Sequence, residues 1–445
     1  MYSLIETLSD LLRIPSISGD RYHCELALEY LLDKGRDFGF SCKYLLNGRL
    51  GVIETGEGDE VLGVVTHVDV SNPGSLKEWD QPPFEPTVGG GRLYCRGVVD
   101  NKGAAMTALL AMRDISRTSY HYNLPMHKKI RMIIGTEQLS GARDMKEYLF
   151  RNSAPDYGFA MDGVFPAGNV IQGSVNVLLS FPLKEKGRMI TDIKAGLNRE
   201  TVPPVCRITL RGGRRFASSG RQVHTADAKP EDNAILNMAS ALGSLRSRDR
   251  SRLKNDTVYQ VLRRLDIGFS DSEGLRAEMP HPRTPYKFED PGRNRFSPTA
   301  CFIKDGRLYV NINGHYNIVT REAEIIACLE EYFREMDVRI ENITSQPPSF
   351  VSRSRAYVGE FREAYEHVSG NPMEFRICSY DTYAQVVPNT ITFGPVMPGS
   401  EDTRNQVNES IAIRDLMFMQ TLYERVMSNI VFSPKSFRES DHGSK

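Results

Sequence analysis

The sequence predicts an α/β domain interrupted by an inserted α+β domain, and three observations lead there. Amphipathic helical segments alternate with short β-branched runs through residues 1–172 and again through 349–435, whereas 173–348 is richer in strands. The β-branched runs are apolar on consecutive positions and bounded by glycine, as strands buried on both faces read. The chain is 445 residues long, which leaves room for two to three domains at roughly 100–200 residues each.

Taken in order, Leu4, Ile5, Leu8, Leu11 and Leu12 sit at helical spacing within Ser3–Ile14, and Leu26, Leu28, Leu31 and Leu32 do so within Glu25–Asp37. GVIETG and VLGVVTHVDV, between Gly51 and Val70, read as two buried strands. A helix follows over Lys102–Ser116, a strand over Ile130–Thr136, a helix over Gly141–Phe150, and then an apolar stretch that ends at Met161 and Asp162. This alternation predicts a mostly parallel sheet covered on both faces. Ligands of such sheets bind outside the carboxyl ends of the strands, where His67, Asp69, Glu137, Gln138 and Asp162 fall. From about Gly173 the strand-like segments VNVLLSFPL, CRITLRG and LYVNING, the helix NAILNMASALGSLRS and the polar, Pro-rich stretch Glu278–Pro298 mark the inserted domain. Beyond Ser349 the first style returns, with a helix over Tyr357–His367, the strands FRICS and ITFGP and a closing helix over Ile411–Ile430. The tail, 436–445, is polar and is expected to fray.

Composition excludes several classes. Lys and Arg number 56 against 56 Asp and Glu, so no overall basic field favours nucleic acid or an anionic membrane. The seven cysteines are odd in number, scattered and without a CxxC pair, which argues for reduced thiols in a reducing compartment. No stretch approaches the roughly 18 apolar residues of a membrane span, and the start lacks a secretory pattern. The expectation is a cytoplasmic protein.

His67 and Asp69 form an H-x-D pair at a strand end, a spacing that aims an imidazole at a metal while the carboxylate orients it. Taken alone, the pair reads more readily as a strand-end histidine satisfied by its neighbour than as a metal ligand. Asp100 opens DNKG before a helix and Asp162 ends a further strand, so one imidazole and two carboxylates make a donor set suited to Zn²⁺ or another borderline divalent ion. The remaining histidines, His23, His121, His127, His281, His315, His367 and His442, lie in polar segments and read as surface residues. RGGRR and SLRSRDRSR read as solvated faces.

The run from His67 to Gly103, HVDVSNPGSLKEWDQPPFEPTVGGGRLYCRGVVDNKG, resembles the metal-site segment of the M20 family of di-zinc peptidases, in its PepV/Sapep-like dipeptidase branch. The resemblance continues through GTEQLSGARDMKEYLF, FAMDGVFP, GLNRETVPPVC, GRQVHTADAKPEDNA, DTYAQ and FGPVMPGSEDTRNQVNESI, in order over essentially the whole chain. It implies a zinc-peptidase-like α/β/α catalytic domain (1–172 and 349–435) with an inserted α+β lid domain (173–348). It also implies a small amino-acid or peptide ligand and a monomer or weak dimer. His67 and Asp162 match two ligands of one metal, Asp100 the aspartate that bridges two metals, and the Asp100–Asn101 bond a cis peptide. Asp69 matches the carboxylate behind the histidine, and His224 a lid histidine that polarises the substrate carbonyl.

Other positions depart from the family pattern. Where the resemblance calls for a Gly-Thr-Asp-Glu-Glu-Ser-Gly type motif, the chain has Gly135 to Gly141 with Gln138 at the general base and Leu139 at the second-metal ligand. A carboxamide accepts no proton from water at neutral pH, and leucine has no lone pair. Sliding the alignment by one puts Glu137 at the base, but then puts Gln138 at the ligand and breaks the match at Ser140 and Gly141. Asn405 stands where the second metal's histidine is expected. Asp381 replaces a glycine before Thr-Tyr-Ala, placing a negative charge where a peptide carboxylate would sit, and Glu200 replaces an asparagine near the substrate. Gly314 or His315 stands near a lid arginine position. Arg404, beside Asn405, has two readings, a guanidinium that grips the buried carboxylates bidentately and a solvated loop residue.

The pattern argues for one Zn²⁺ at most, held by His67, Asp100 and Asp162, and against a second. Three readings follow: a dipeptidase-like pseudoenzyme with impaired or absent hydrolysis; an active single-metal peptide or amide hydrolase with a replacement base such as Glu137 or Asp381; and a non-catalytic amino-acid- or peptide-binding protein.

Overall fold

The computed structural model describes residues 4–196, 201–245, 247–270 and 294–438. Glu200, most of the stretch Glu278–Pro298 with His281, and 439–445 with His442 lie outside the described residues. The chain divides into two compact units, Met1–Ile171 with Ser349–Lys445, and Gln172–Pro348.

The first unit is built on nine strands: β1 Ser41–Leu45, β2 Leu50–Gly56, β3 Val61–His67, β4 Lys129–Gly135, β5 Tyr157–Ala160, β6 Ala167–Ile171, β7 Ser349–Phe350, β8 Phe375–Cys378 and β9 Thr390–Thr392. They are ordered β1-β2-β4-β3-β5-β9-β6-β7, with β8 also paired to β6. Its helices are α1 Leu4–Leu12, α2 Arg21–Asp37, α3 Lys102–Tyr122, α4 Arg143–Arg151, α5 Ala356–Ser369 and α6 Ile413–Val431.

The sheet is less parallel than the alternation predicts. β3 runs parallel to β4 and β5, β9 to β5, and β8 to β6. The pairs β1–β2, β2–β4, β9–β6 and β6–β7 are antiparallel. Connection length decides this, because the turn Leu46–Arg49 is too short to carry β1 into a parallel partner, whereas α3 and α4 return the chain for the parallel centre. The two-residue period of a strand sends neighbours to opposite faces. Leu62, Val64, Met132, Ile134 and Phe159 pack with α1, α2, α3, α5 and α6, and Val65, Ile133 and Ala160 pack with Met145 and Tyr148 of α4 and with Tyr383.

Three element ends have local causes. The Asp20 carboxylate accepts from the His23 amide at 3.3 Å, which starts α2 four residues before the expected Glu25. α3 runs past the expected Ser116 until Asn123 takes the left-handed conformation at φ 48 and bonds back to Ser119 and Tyr120. The buried Lys102 Nζ donates to the carbonyls of Leu11 (3.2 Å) and Ile14 (2.5 Å), satisfying groups that the end of α1 leaves open. Burial pushes its pKa down to about 8.

The second unit carries a seven-stranded antiparallel sheet in the order Arg215–Ser219, Val205–Leu210, Ile190–Ala195, Arg295–Lys304, Arg307–Tyr316, Gly173–Pro182, Arg339–Gln346. Helices Ala234–Gly243, Thr257–Ser270 and Glu322–Phe333 join its core. The helix expected over NAILNMASALGSLRS ends early, at Gly243, and a separate helix, Ser247–Leu253, begins at the last residue of that stretch. Among the described residues no helix is long and apolar enough to cross a membrane.

The tail expected to fray from residue 436 begins as core. Phe437 is 3% exposed, lies edge-on to Tyr157 with centroids 6.0 Å apart, and has the Lys128 ammonium 4.9 Å from its ring centre. Arg438 Nε pairs with Asp156 at 2.7 Å. One aromatic in a polar run is enough to anchor it when the facing surface is apolar. Phe437→Ala should lower the unfolding free energy of this unit by about 3 kcal/mol, read as a shift of its denaturant midpoint. An unchanged midpoint would separate this segment from the core.

Candidate functional site

Because β3 is flanked by β4 and β5 in parallel, the loops after His67, Gly135 and Ala160 leave one edge of the sheet together. His67 is fully buried. Its Nδ1 lies 2.9 Å from the Asp69 carbonyl, which only accepts, so Nδ1 carries the proton. Its Nε2 faces Asp100 Oδ1 at 3.3 Å and has no hydrogen-bond partner among the described residues. Burial works against charge on this ring, but Asp100 and Asp69 flank it and hold its pKa well above the usual range.

Asp100 follows an apolar turn and joins Asn101 through a cis peptide bond. Its backbone amide and that of Val99 donate to Glu409 Oε1 at 3.1 and 2.9 Å, while Arg96 Nη1 pairs with Glu409 Oε2 at 2.7 Å. Asp100 Oδ2 accepts from Asn405 Nδ2 at 2.9 Å. Burial would raise the pKa of Asp100, but His67, Arg404 and the Asn405 amide bring it below its usual value. Asp162, after β5, accepts from the Thr382 hydroxyl at 2.6 Å on Oδ1 and from the Tyr383 amide at 3.2 Å on Oδ2. Burial raises its pKa against the Thr382 hydrogen bond.

The turn after β4 is tied down from below. Asp69 accepts from the amides of Gln138 (3.2 Å) and Leu139 (3.1 Å). Asp144 accepts from the amides of Thr136 (2.7 Å), Glu137 (3.1 Å) and Met145 (2.7 Å) and from the Tyr383 hydroxyl at 2.8 Å. Gly135 makes room for this, since a Cβ there would lie 1.9 Å from the Tyr383 hydroxyl. Gln138 Nε2 donates to the Asp381 carbonyl at 2.7 Å. Glu137 is turned to Arg49, with Nη1 3.4 Å away. Leu139 is half-buried and puts no donor atom beside the aspartates.

Arg404 does not grip the carboxylates of Asp100 and Asp162 as expected. Its guanidinium is held bidentately by Asp402, Nε to Oδ1 at 2.9 Å and Nη2 to Oδ2 at 2.6 Å, because that carboxylate lies two residues away in the same turn. Its Nη1 donates to the Asp162 backbone carbonyl at 2.9 Å, and the group lies 4.9 Å from the Tyr380 ring centre.

His224 belongs to the second unit, in the two-residue strand Val223–His224 paired with Thr201–Val202. It is half-buried and its Nδ1 accepts from the Ala226 amide at 3.3 Å. His315, expected at the surface, is buried with its ring 5.3 Å from that of His224 and Nε2 3.1 Å from the Thr225 hydroxyl. The strand Arg307–Tyr316 has a neighbour on each side and is buried on both faces from Val310 to Tyr316, so His315 is enclosed whichever face it takes. Burial, with His224 and Arg295 nearby, pushes its pKa down to about 3.

The profile of peptidase family M20/M25/M40 matches residues 63–429. The chain belongs to that family. It resembles a Bacillus subtilis protein named "Putative dipeptidase YtjP", with 28% identity over 428 residues spanning 90% of this chain and 89% of the relative. A Staphylococcus epidermidis protein named "Putative dipeptidase" is 25% identical over 468 residues, 94% of this chain and 95% of the relative. Among solved structures, the M20 family metallo-carboxypeptidase Sso-CP2 from Sulfolobus solfataricus has a TM-score of 0.62 at 15% identity, covering 97% of this chain and 99% of that one. That likeness shows the fold.

Membership of M20/M25/M40 implies a metal, and the residues present do not fit one as they stand. Among the described residues no group of three or more His, Cys, Asp or Glu is arranged to hold a metal ion. In the expected set His67, Asp100 and Asp162, the carboxylate oxygens are turned to the protein's own donors, those of Asp162 to Thr382 and Tyr383 and Asp100 Oδ2 to Asn405, rather than converging on one point with His67 Nε2. A second ion fits less well still, since Leu139 offers no lone pair and Asn405 presents an N–H.

Asp144, Thr382, Tyr383, Glu409 and Arg96 escaped the sequence reading. Thr382 and Tyr383 entered that reading only inside the DTYAQ segment of the resemblance, with no role of their own.

Asp144 sets a pH dependence. Burial outweighs its hydrogen bonds and, with the charge of Asp69, pushes its pKa up to about 6 from 3.8. The folded state therefore binds this proton more tightly than the unfolded chain. The resulting stability is complete below about pH 4 and is lost as pH rises through about 6. Relative to Asp144→Asn, the wild type should lose about 3 kcal/mol of unfolding free energy between those limits. Parallel denaturation curves for the two proteins would show that the group does not titrate there.

Proposed function

We propose that this M20 protein is dipeptidase-like in descent and impaired or inactive as a hydrolase, and that its remaining capacity is to bind an amino acid or short peptide. One observation carries the reading. The side chain that follows Glu137 is the buried Gln138, and its amide donates to the Asp381 carbonyl at 2.7 Å. Hydrolysing an amide needs a group that takes a proton from water and returns it to the leaving amine, and a carboxamide does neither. Glu137, the nearest carboxylate along the chain, is paired with Arg49. The names of the relatives, dipeptidases over most of the chain, support the ligand class.

Loss of a general base typically costs about 10²–10⁴ in rate. Assayed beside a relative with an intact base, the full chain should cleave dipeptides and N-acyl amino acids at least about 10²-fold more slowly with Zn²⁺, Mn²⁺ or Co²⁺ present. A dipeptide or free amino acid should raise its melting temperature without being consumed. Turnover within about tenfold of the relative, abolished by His67→Ala, would defeat the proposal.

A further inference from the structure

We propose, building on the impaired-site reading, that Asn405 and Arg404 take the place of a divalent cation beside Asp100 and Asp162, so that this centre is built to stand without metal.

The two carboxylates present four oxygens, of which three accept hydrogen bonds from the protein and the fourth lies beside the His67 ring. Asp100 Oδ1 faces His67 Nε2 at 3.3 Å and Asp100 Oδ2 takes the Asn405 amide at 2.9 Å. Asp162 Oδ1 takes the Thr382 hydroxyl at 2.6 Å and Oδ2 the Tyr383 amide at 3.2 Å. The orientation of the Asn405 amide follows from its partner, since a carboxylate accepts and only the NH₂ end donates. A cation approaching Asp100 Oδ2 from that side would meet the positive end of an N–H dipole.

Charge is supplied from the same turn. Arg404 lies next to Asn405, and its Nη1 reaches the Asp162 carbonyl at 2.9 Å. Its side chain is 14% exposed, whereas that of its partner Asp402 is 43% exposed. Water screens the acid more than the base, so the guanidinium leaves a net positive charge against the backbone of Asp162. The turn Thr403–Gln406, closed by the Gln406 amide on the Thr403 carbonyl at 3.2 Å, aims both side chains. Asn405 sits at φ 60, a left-handed conformation that asparagine tolerates better than most residues with a side chain.

The test uses the full chain, freed of metal and then dialysed against Zn²⁺, with bound zinc measured by elemental analysis and the melting temperature read with Zn²⁺ and with EDTA. The wild type should keep far less than one equivalent and melt at the same temperature in both. Arg404→Ala removes the internal cation and should acquire a zinc-dependent rise in melting temperature, whereas Arg404→Lys, which keeps the charge, should behave as the wild type. If Arg404→Ala does not fold, Asn405→Ala, which frees one Asp100 oxygen, should show the gain. Stoichiometric zinc with thermal stabilisation in the wild type would overturn the proposal, as would a folded alanine variant no more responsive to zinc than the wild type. Dipeptide turnover by the metal-free protein would sink the impaired-site reading and leave this one standing. Zinc uptake without turnover would do the reverse.

Discussion

Two aspartates, Asp100 and Asp162, are buried at the carboxyl edge of the parallel strands, and the surrounding structure is arranged around keeping them there. A carboxylate taken out of water costs several kcal/mol unless donors and opposite charge replace its hydration. In this chain the replacements come from widely separated segments: an imidazole at the end of β3, a hydroxyl and an amide at Thr382 and Tyr383, and the side-chain amide of Asn405, while the Arg404 guanidinium is bonded to the Asp162 backbone carbonyl. The arrangement is therefore cooperative. No single segment could satisfy the pair alone.

The backbone beneath the pair is held by further acids. Glu409, neutralised by Arg96, receives the amides of Val99 and Asp100, so the turn that presents Asp100 is fixed from behind. Asp69 and Asp144 do the same for the turn after β4. Tyr383 links the two systems, its amide on Asp162 and its hydroxyl on Asp144. Such a scaffold positions side chains tightly whatever chemistry they perform. It holds Gln138 and Asn405 as tightly as it holds the aspartates.

The positions of His67, Asp69 and Asp162 at strand ends were legible because a buried parallel strand announces itself by β-branched runs and its loop follows at once, and Asp100 was legible as the residue that opens the turn into α3. The centre of the sheet was legible for the same reason. The antiparallel strands beside it were not, since their direction depends on turns such as Leu46–Arg49 rather than on apolar pattern. His315 looked like a surface residue because its neighbours in sequence are polar, yet its strand is central in the second sheet. Phe437 looked like part of a loose tail because a single aromatic gives no periodicity.

Arg404 marks the division most clearly. Residue type alone established that the chain lacks a proton acceptor at 138 and lone pairs at 139, and that a guanidinium and an amide stand side by side at 404 and 405. Chemistry of that kind belongs to a side chain wherever it sits. Which oxygen each group meets was decided only by the fold. Asp402 captured the guanidinium face expected for the buried aspartates, leaving Asn405 to bond Asp100 and Arg404 to reach the Asp162 backbone. Hydrogen bonds are directional and short, so partners separated by hundreds of residues are chosen by tertiary packing and leave no trace in the local sequence.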